Sequence, residues 1–193
     1  MLQLVFATNN LHKLEEIKNL IPSKYNIKGL KEVKIFEDIP ETHETLEENA
    51  IEKAMCIYEK YKLNCFADDT GLEVEALNGA PGVYSARYAG PACTYEDNVN
   101  KLLQEMALID NRRATFRTVI ALVENGNVQT FEGNVEGVIT VTKSGNNGFG
   151  YDPIFKPDGF NTTFAEMTME AKNRISHRGR ALEKFIKYLK SNL

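Results

Sequence analysis

Apolar positions in this chain follow two periodicities, and the switches between them set the predicted elements. LQLVFA (residues 2–7) is a short continuous apolar run of the kind a central strand shows. Thr8, Asn9 and Asn10 end it with N-cap chemistry. Leu11, Leu14, Ile17 and Leu20 then recur at near-helical spacing, which predicts a helix over about 11–21. VKIF (33–36) predicts a second strand. Thr45 with Glu48 has capping-box spacing, and Leu46, Ala50, Ala54, Ile57 and Tyr61 form one apolar face of a helix reaching about 62. Residues 64–68 return to strand, and Val99, Leu102, Leu103 and Met106 mark a helix over 95–107.

ATFRTVIALV (114–123) and NVQTFEGNV (127–135) flank Glu124-Asn125-Gly126, a hairpin signal. A further strand is expected near 138–142, followed by KSGNNGFGYDP, too rich in Gly and Asn to be regular. The last helix starts after Ser176 and packs Leu182, Phe185, Ile186 and Leu189. Strands and helices interleave early and hairpins occupy the middle. The pattern predicts an α/β fold: a mixed sheet with an antiparallel portion, and two lobes around a groove. With 193 residues, 42% of them hydrophobic, the chain can bury a core within a single domain over 1–193.

Charge and cysteine usage narrow the class. A net charge of −4 argues against a broad basic surface for nucleic acid or anionic membrane, while leaving room for one basic pocket. The three cysteines, Cys56, Cys65 and Cys93, form no CxxC pair, so they read as reduced thiols of a cytoplasmic protein. Cys56 lies in a helical pattern and Cys65 opens a strand; both are expected in the core. No segment approaches the ~20 apolar residues of a membrane span, and the expectation is a soluble protein.

Candidate chemistry concentrates in FADDTGLEVEALNGAPGVYSARYAG (66–90). An apolar strand delivers two adjacent carboxylates, Asp68 and Asp69, followed by Thr70 and Gly71. Buried carboxylates need a partner or a metal, and a strand end opening into glycine turns is where α/β proteins place ligands. If the strand continues, the two aspartates point to opposite faces and cannot share one role. Glu41, on an irregular loop, is a candidate partner carboxylate, since Mg²⁺ is held by few carboxylates together with phosphate oxygens. The plainer alternatives are a solvated loop acid for Glu41 and turn or cap residues for the aspartates.

Two predicted helices carry cations in their first turns, Lys13 in one and His177 with Arg178 in the other, against the helix dipole. Each follows hydroxyl or amide residues, so backbone N–H groups and the side-chain cation could together hold an anion. GFGYDPIF (148–155) interleaves glycines with Phe149, Tyr151 and Asp152, which suits either core plugs or a stacking platform for a planar base. Lys172, Asn173, His177 and Arg178 offer donors that could read carbonyl oxygens on a heterocycle. There is no GxxxxGK[ST], GxGxxG, HExxH or GxSxG, and His12 and His43 are isolated, as surface residues are.

Four segments, TNNLHK (8–13), IPETHETLEENAIEKA (39–54), the 67–90 stretch, and GFGYDPIF with AKNRISHRGRAL (171–182), line up in order with one family. Over essentially its whole length the chain resembles the inosine triphosphate pyrophosphatase family, also called Ham1-like. The resemblance implies an elongated α/β structure with two lobes flanking a central substrate cleft. It also implies a Mg²⁺-dependent homodimer that hydrolyses ITP, dITP and XTP to the monophosphate and pyrophosphate. By motif, Thr8, Asn9, Asn10 and Lys13 would bind the phosphates, Asn10 being a position where many members differ. Lys53 would face the polyphosphate and Thr70 would contact substrate. Glu41 and Asp69 would hold the metal, with Asp69 also the general base. Phe149 would stack on the base, with Gly150, Tyr151 and Asp152 completing that wall, and Lys172, His177 and Arg178 would read its carbonyls. Two alternatives stay open beside it: a pyrophosphatase for modified pyrimidines or a more general phosphohydrolase, and a nucleotide-binding or nucleic-acid-associated module without turnover.

Overall fold

The computed structural model describes residues 2–18 and 20–191, leaving aside the side chains of residues 11, 12, 15 and 16. The expectations for Leu11 and His12 therefore lie outside the described residues. β1 (Leu2–Phe6) leads into α1 (Leu11–Lys18) and then β2 (Tyr25–Gly29), which pairs in parallel with β1, Leu4 opposite Ile27. Tyr25 and Ile27 alternate into the core from β2. The strand expected at 33–36 is absent. Leu30–Val33 is a 3₁₀ turn closed by Lys34 at φ 60°, and Phe36 lies 76% exposed beside buried Ile35. One apolar anchor does not make a pleated face. Likewise α1 stops at Lys18, and Leu20, expected on its apolar face, is exposed beyond the helix end.

α2 (Leu46–Tyr61) buries Leu46, Ala50, Ala54 and Ile57 as its periodicity requires, while Tyr61 at its end is exposed. The cap is half of the expected box. The Thr45 hydroxyl oxygen accepts the Glu48 N–H at 3.2 Å, but the Glu48 carboxylate bonds that hydroxyl and not the backbone. β3 (Cys65–Val74) runs ten residues, twice the expected length, because Leu72 and Val74 go on burying past Gly71. It pairs in parallel with β1 at Phe6–Phe66 and antiparallel with β4 (Pro81–Gly82) at Leu72–Gly82.

α3 (Tyr95–Glu105) precedes the hairpin of β5 (Arg113–Glu124) and β6 (Asn127–Ile139). Its turn residues Asn125 and Gly126 have φ 52° and 83°, the sign that matches the strand twist. Of the separate strand expected near 138–142, only 138–139 are strand, as the end of β6, which pairs antiparallel with β7 (Phe155–Pro157). That close approach needs Gly137, where a Cβ would sit 2.4 Å from the Lys156 carbonyl oxygen. α4 (Met169–Ile175) and α5 (His177–Ser191) complete the chain. The strand order β2-β1-β3-β5-β6-β7, with β4 on β3, is the mixed sheet of an α/β protein.

The chain divides into two units, Met1–Asp69 with Val119–Glu132 and Ala181–Leu193, and Thr70–Thr118 with Gly133–Arg180. Each has its own core. In the first, Phe6 and Phe66 stack at 4.4 Å and Phe66 meets Phe185; in the second, Phe116 packs on Phe155 and Phe164. Cys65 is fully buried, as expected, but Cys56 is only half-buried.

Candidate active site

In the first unit, the turn after β1 is organised by its own side chains. The Asn10 N–H donates to the Thr8 hydroxyl oxygen at 3.1 Å, and the Lys13 N–H donates to Asn10 Oδ1 at 3.2 Å, so Asn10 caps α1. Lys13 Nζ then donates to Asp68 Oδ2 at 2.8 Å, across the β1–β3 pairing. Because β3 continues through both aspartates, Asp69 turns elsewhere. Its Oδ1 accepts from Lys53 Nζ at 3.2 Å, and the same ammonium donates to Glu41 Oε1 at 2.7 Å. Thr8, Asn10, Lys13, Glu41, Lys53, Asp68 and Asp69 are thus tied into two linked clusters by α1, α2, β3 and one loop. Asn9 is exposed beside them.

Among the described residues, this set holds more carboxylates than ammonium groups. Three carboxylates, Glu41, Asp68 and Asp69, share two ammonium groups, Lys13 and Lys53. Burial raises the Asp69 carboxyl above its usual range; Lys53 opposes this, while Glu41 and Asp68 add to it. Burial alone would lower the Lys53 ammonium, but Asp69, Glu41 and Asp68 together raise it. Asp69 Oδ2 is buried with no hydrogen-bond partner among the described residues. Such an oxygen is expensive to leave unsatisfied, and it suits a cation or a water brought in with substrate. No cluster of three or more His, Cys, Asp or Glu set to hold a metal occurs among the described residues. Two carboxylates suit Mg²⁺, which keeps waters and takes its other oxygens from phosphates.

The second unit gathers the other set. The loop after β6 turns through Gly148 and Gly150 at φ 78° and 62°. Asp152 Oδ2 accepts the Phe149 N–H at 2.9 Å and Lys172 Nζ at 2.5 Å. A Cβ on Gly148 would come within 2.0 Å of that carboxylate oxygen, so the glycine is what lets Asp152 turn back on its own loop. Burial pushes the Asp152 carboxyl up, against the Lys172 ammonium beside it. Lys172 Nζ also lies 5.0 Å from the Phe149 ring centre. Phe149 is exposed while Asp152 is buried behind it, and Tyr151 is in the core, its hydroxyl donating to the Ser85 carbonyl at 3.0 Å. Of the expected wall, then, Phe149 offers a ring face, Asp152 holds its backbone, and Tyr151 lies in the core. His177 opens α5 stacked on Phe116, ring centres 4.5 Å apart and planes 11° from parallel, next to buried Arg178. Thr70 bonds Thr118 hydroxyl to hydroxyl at 2.7 Å.

Three contributors escaped the sequence reading. Thr118 is a fully buried hydroxyl facing Thr70, and nothing in ATFRTVIALV singles it out. Ser85 accepts the Leu72 N–H and donates to the Gly82 carbonyl, stitching the loop after β4 to β3. Asn49, 1% exposed on α2, holds the backbone of His43. Its signal was a polar residue on the apolar stripe of a helix.

The model of the Ham1 family matches residues 4–188. A dITP/XTP pyrophosphatase of Flavobacterium johnsoniae is 53% identical over 188 residues, covering 97% of this chain and 98% of that protein. One from Porphyromonas gingivalis is 51% identical, covering 98% of each. The solved Ham1 protein of Staphylococcus aureus superposes with a TM-score of 0.94 at 40% identity, over 99% of this chain and all of that one. Sequence agreement from β1 into α5, with the same fold at that level of identity, makes this chain a member of the Ham1 family.

Proposed function

We propose that this protein is a Mg²⁺-dependent nucleoside triphosphate pyrophosphatase acting on non-standard purine nucleotides, dITP, XTP and ITP, releasing the monophosphate and pyrophosphate. The observation that carries the reading is the partnerless Asp69 Oδ2 beside the Glu41–Lys53 pair, in a chain half identical to dITP/XTP pyrophosphatases. Glu41 and Asp69 would hold Mg²⁺, which when bound neutralises phosphate charge and acidifies water. Lys13 and Lys53 supply fixed positive charge for the phosphates, and Thr8 and the N–H groups opening α1 add donors. Asp69 accepts a proton from the water attacking the α-phosphorus.

The set gathered in the second unit suits a purine base. Phe149 stacks on the ring, and Lys172 and Arg178 donate to the 6-keto oxygen of hypoxanthine or xanthine. Adenine would oppose those donors with its own N6 amino group, leaving buried groups unpaired. Removal of such nucleotides from the pool follows as the cellular role, in a homodimer located in the cytoplasm; sedimentation of the purified protein tests the dimer. The deciding assay incubates ITP, dITP, XTP, ATP, GTP, dTTP and UTP with and without Mg²⁺ and resolves the products. Pyrophosphate from the first three is expected. Orthophosphate would reject the α-phosphorus as the site of attack, and preference for dTTP or UTP would reject the purine assignment.

A further inference from the structure

Glu41 lies on a stretch with no helix or strand of its own, so something else must fix it. We propose that Asn49 is a positioning residue for the metal end of the site, acting through Glu41 by gripping the backbone two residues beyond it. The inference rests on Glu41 being a metal ligand, as in the function proposed above. Asn49 Oδ1 accepts the His43 N–H at 2.9 Å, and Asn49 Nδ2 donates to the His43 carbonyl at 3.2 Å. One side-chain amide thus saturates both peptide groups of residue 43, as a rung of sheet would. A weaker, exposed clamp adds to it. Glu52 accepts the Thr42 N–H at 3.1 Å and the Thr42 hydroxyl at 3.0 Å.

Asn49 and Lys53 are four residues apart, hence neighbours on one face of α2, and both are buried. The helix that presents the Lys53 ammonium to the Glu41 carboxylate therefore also holds the main chain just past Glu41. Glu41 is fixed from two sides, its side chain by Lys53 at 2.7 Å and its backbone by Asn49, before any cation arrives. A buried amide on the apolar stripe of a helix is a poor choice for packing alone, because it must find partners for both of its polar atoms. Here both are spent on one residue of the ligand-bearing loop. Groups that orient a ligand without touching the metal typically alter affinity by 10–100-fold.

The test measures Mn²⁺ binding by electron paramagnetic resonance, with an α,β-imido analogue of ITP present, in the whole protein and in Glu41→Gln, Asn49→Ala and Thr42→Val. Glu41→Gln is expected to weaken Mn²⁺ binding strongly. Asn49→Ala is expected to weaken it by about 10-fold or more, and to raise the Mg²⁺ concentration for half-maximal turnover to match. Turnover at saturating Mg²⁺ should stay near that of the parent, a recovery that general loosening of the fold would not allow. Thr42→Val, which removes the hydroxyl's contacts to Glu52 without changing charge, should shift Mn²⁺ binding less and in the same direction. Unchanged binding in Glu41→Gln would refute the ligand assignment and the inference with it. Loss in Glu41→Gln with none in Asn49→Ala would overturn the role of Asn49 alone. If Asn49→Ala does not fold, unchanged binding in Thr42→Val overturns the inference.

Discussion

Asp68 and Asp69 are adjacent in sequence yet their carboxylates bond different ammonium groups. Asp68 bonds Lys13 at 2.8 Å, whereas Asp69 shares Lys53 with Glu41 and keeps one buried oxygen without a hydrogen-bond partner among the described residues. Asp69→Asn should therefore lower turnover by about 10²–10⁴-fold, the usual contribution of a general base. Asp68→Asn should act mainly on KM, through a Lys13 no longer held in place. Equal losses of kcat in the two variants, measured with saturating Mg²⁺ and ITP, would refute this division. Stability should move the other way. Because burial raises the Asp69 carboxyl, the native protein keeps that proton to higher pH than the unfolded chain does. Stability therefore falls as pH rises through the window above the ordinary carboxylate value of about 3.9. Asp69→Asn removes this slope, so its advantage in urea unfolding should grow from about pH 4 upward and then level off. A difference that does not change with pH would sink the argument.

At the scale of elements, local signals succeeded where the chemistry was local. The hairpin turn is one case, since Asn and Gly tolerate positive φ, and both residues adopt it. Gly126→Ala, at φ 83° with the Tyr58 hydroxyl 3.4 Å from the added methyl, should destabilise the protein by about 1–2 kcal/mol; chemical denaturation reads this directly. Thr45→Ala, which removes the acceptor for the Glu48 N–H, should cost about 1 kcal/mol with no change in KM. Elements went unseen where their periodicity was too short or too mixed to register. β2 offers only Tyr25 and Ile27, β7 is three residues long, and α4 is seven residues with one buried side chain, Lys172. The same shortness made VKIF look like a strand when Ile35 alone is anchored.

At the scale of the molecule, three strands, β3, β5 and β6, pass from one unit into the other, and each unit closes its own aromatic core. The thiols report on this burial. Cys65 is fully enclosed, and burial pushes its thiol up to about 12, so it should resist a disulfide reagent until the protein is denatured. Cys56 and Cys93, both half-buried, should be the native-state reactive pair. Three thiols reacting at similar rates without denaturant would show that the first core opens more readily than its packing implies.

The amino-acid sequence by itself determined the α/β class, the alternate faces of Asp68 and Asp69, the glycine-bearing loop at 148–150 and the family, because each depends on periodicity or on residue identity at short range. Only the tertiary structure decided which charge meets which. That Lys13 serves Asp68 while Lys53 bridges Glu41 and Asp69, that Asp152 lies buried behind Phe149, that buried Asn49 holds the backbone of His43, and that Thr118 meets Thr70 are outcomes of packing. Partners up to 55 residues apart leave no periodic trace in the chain, since their proximity is set by how the elements between them fold.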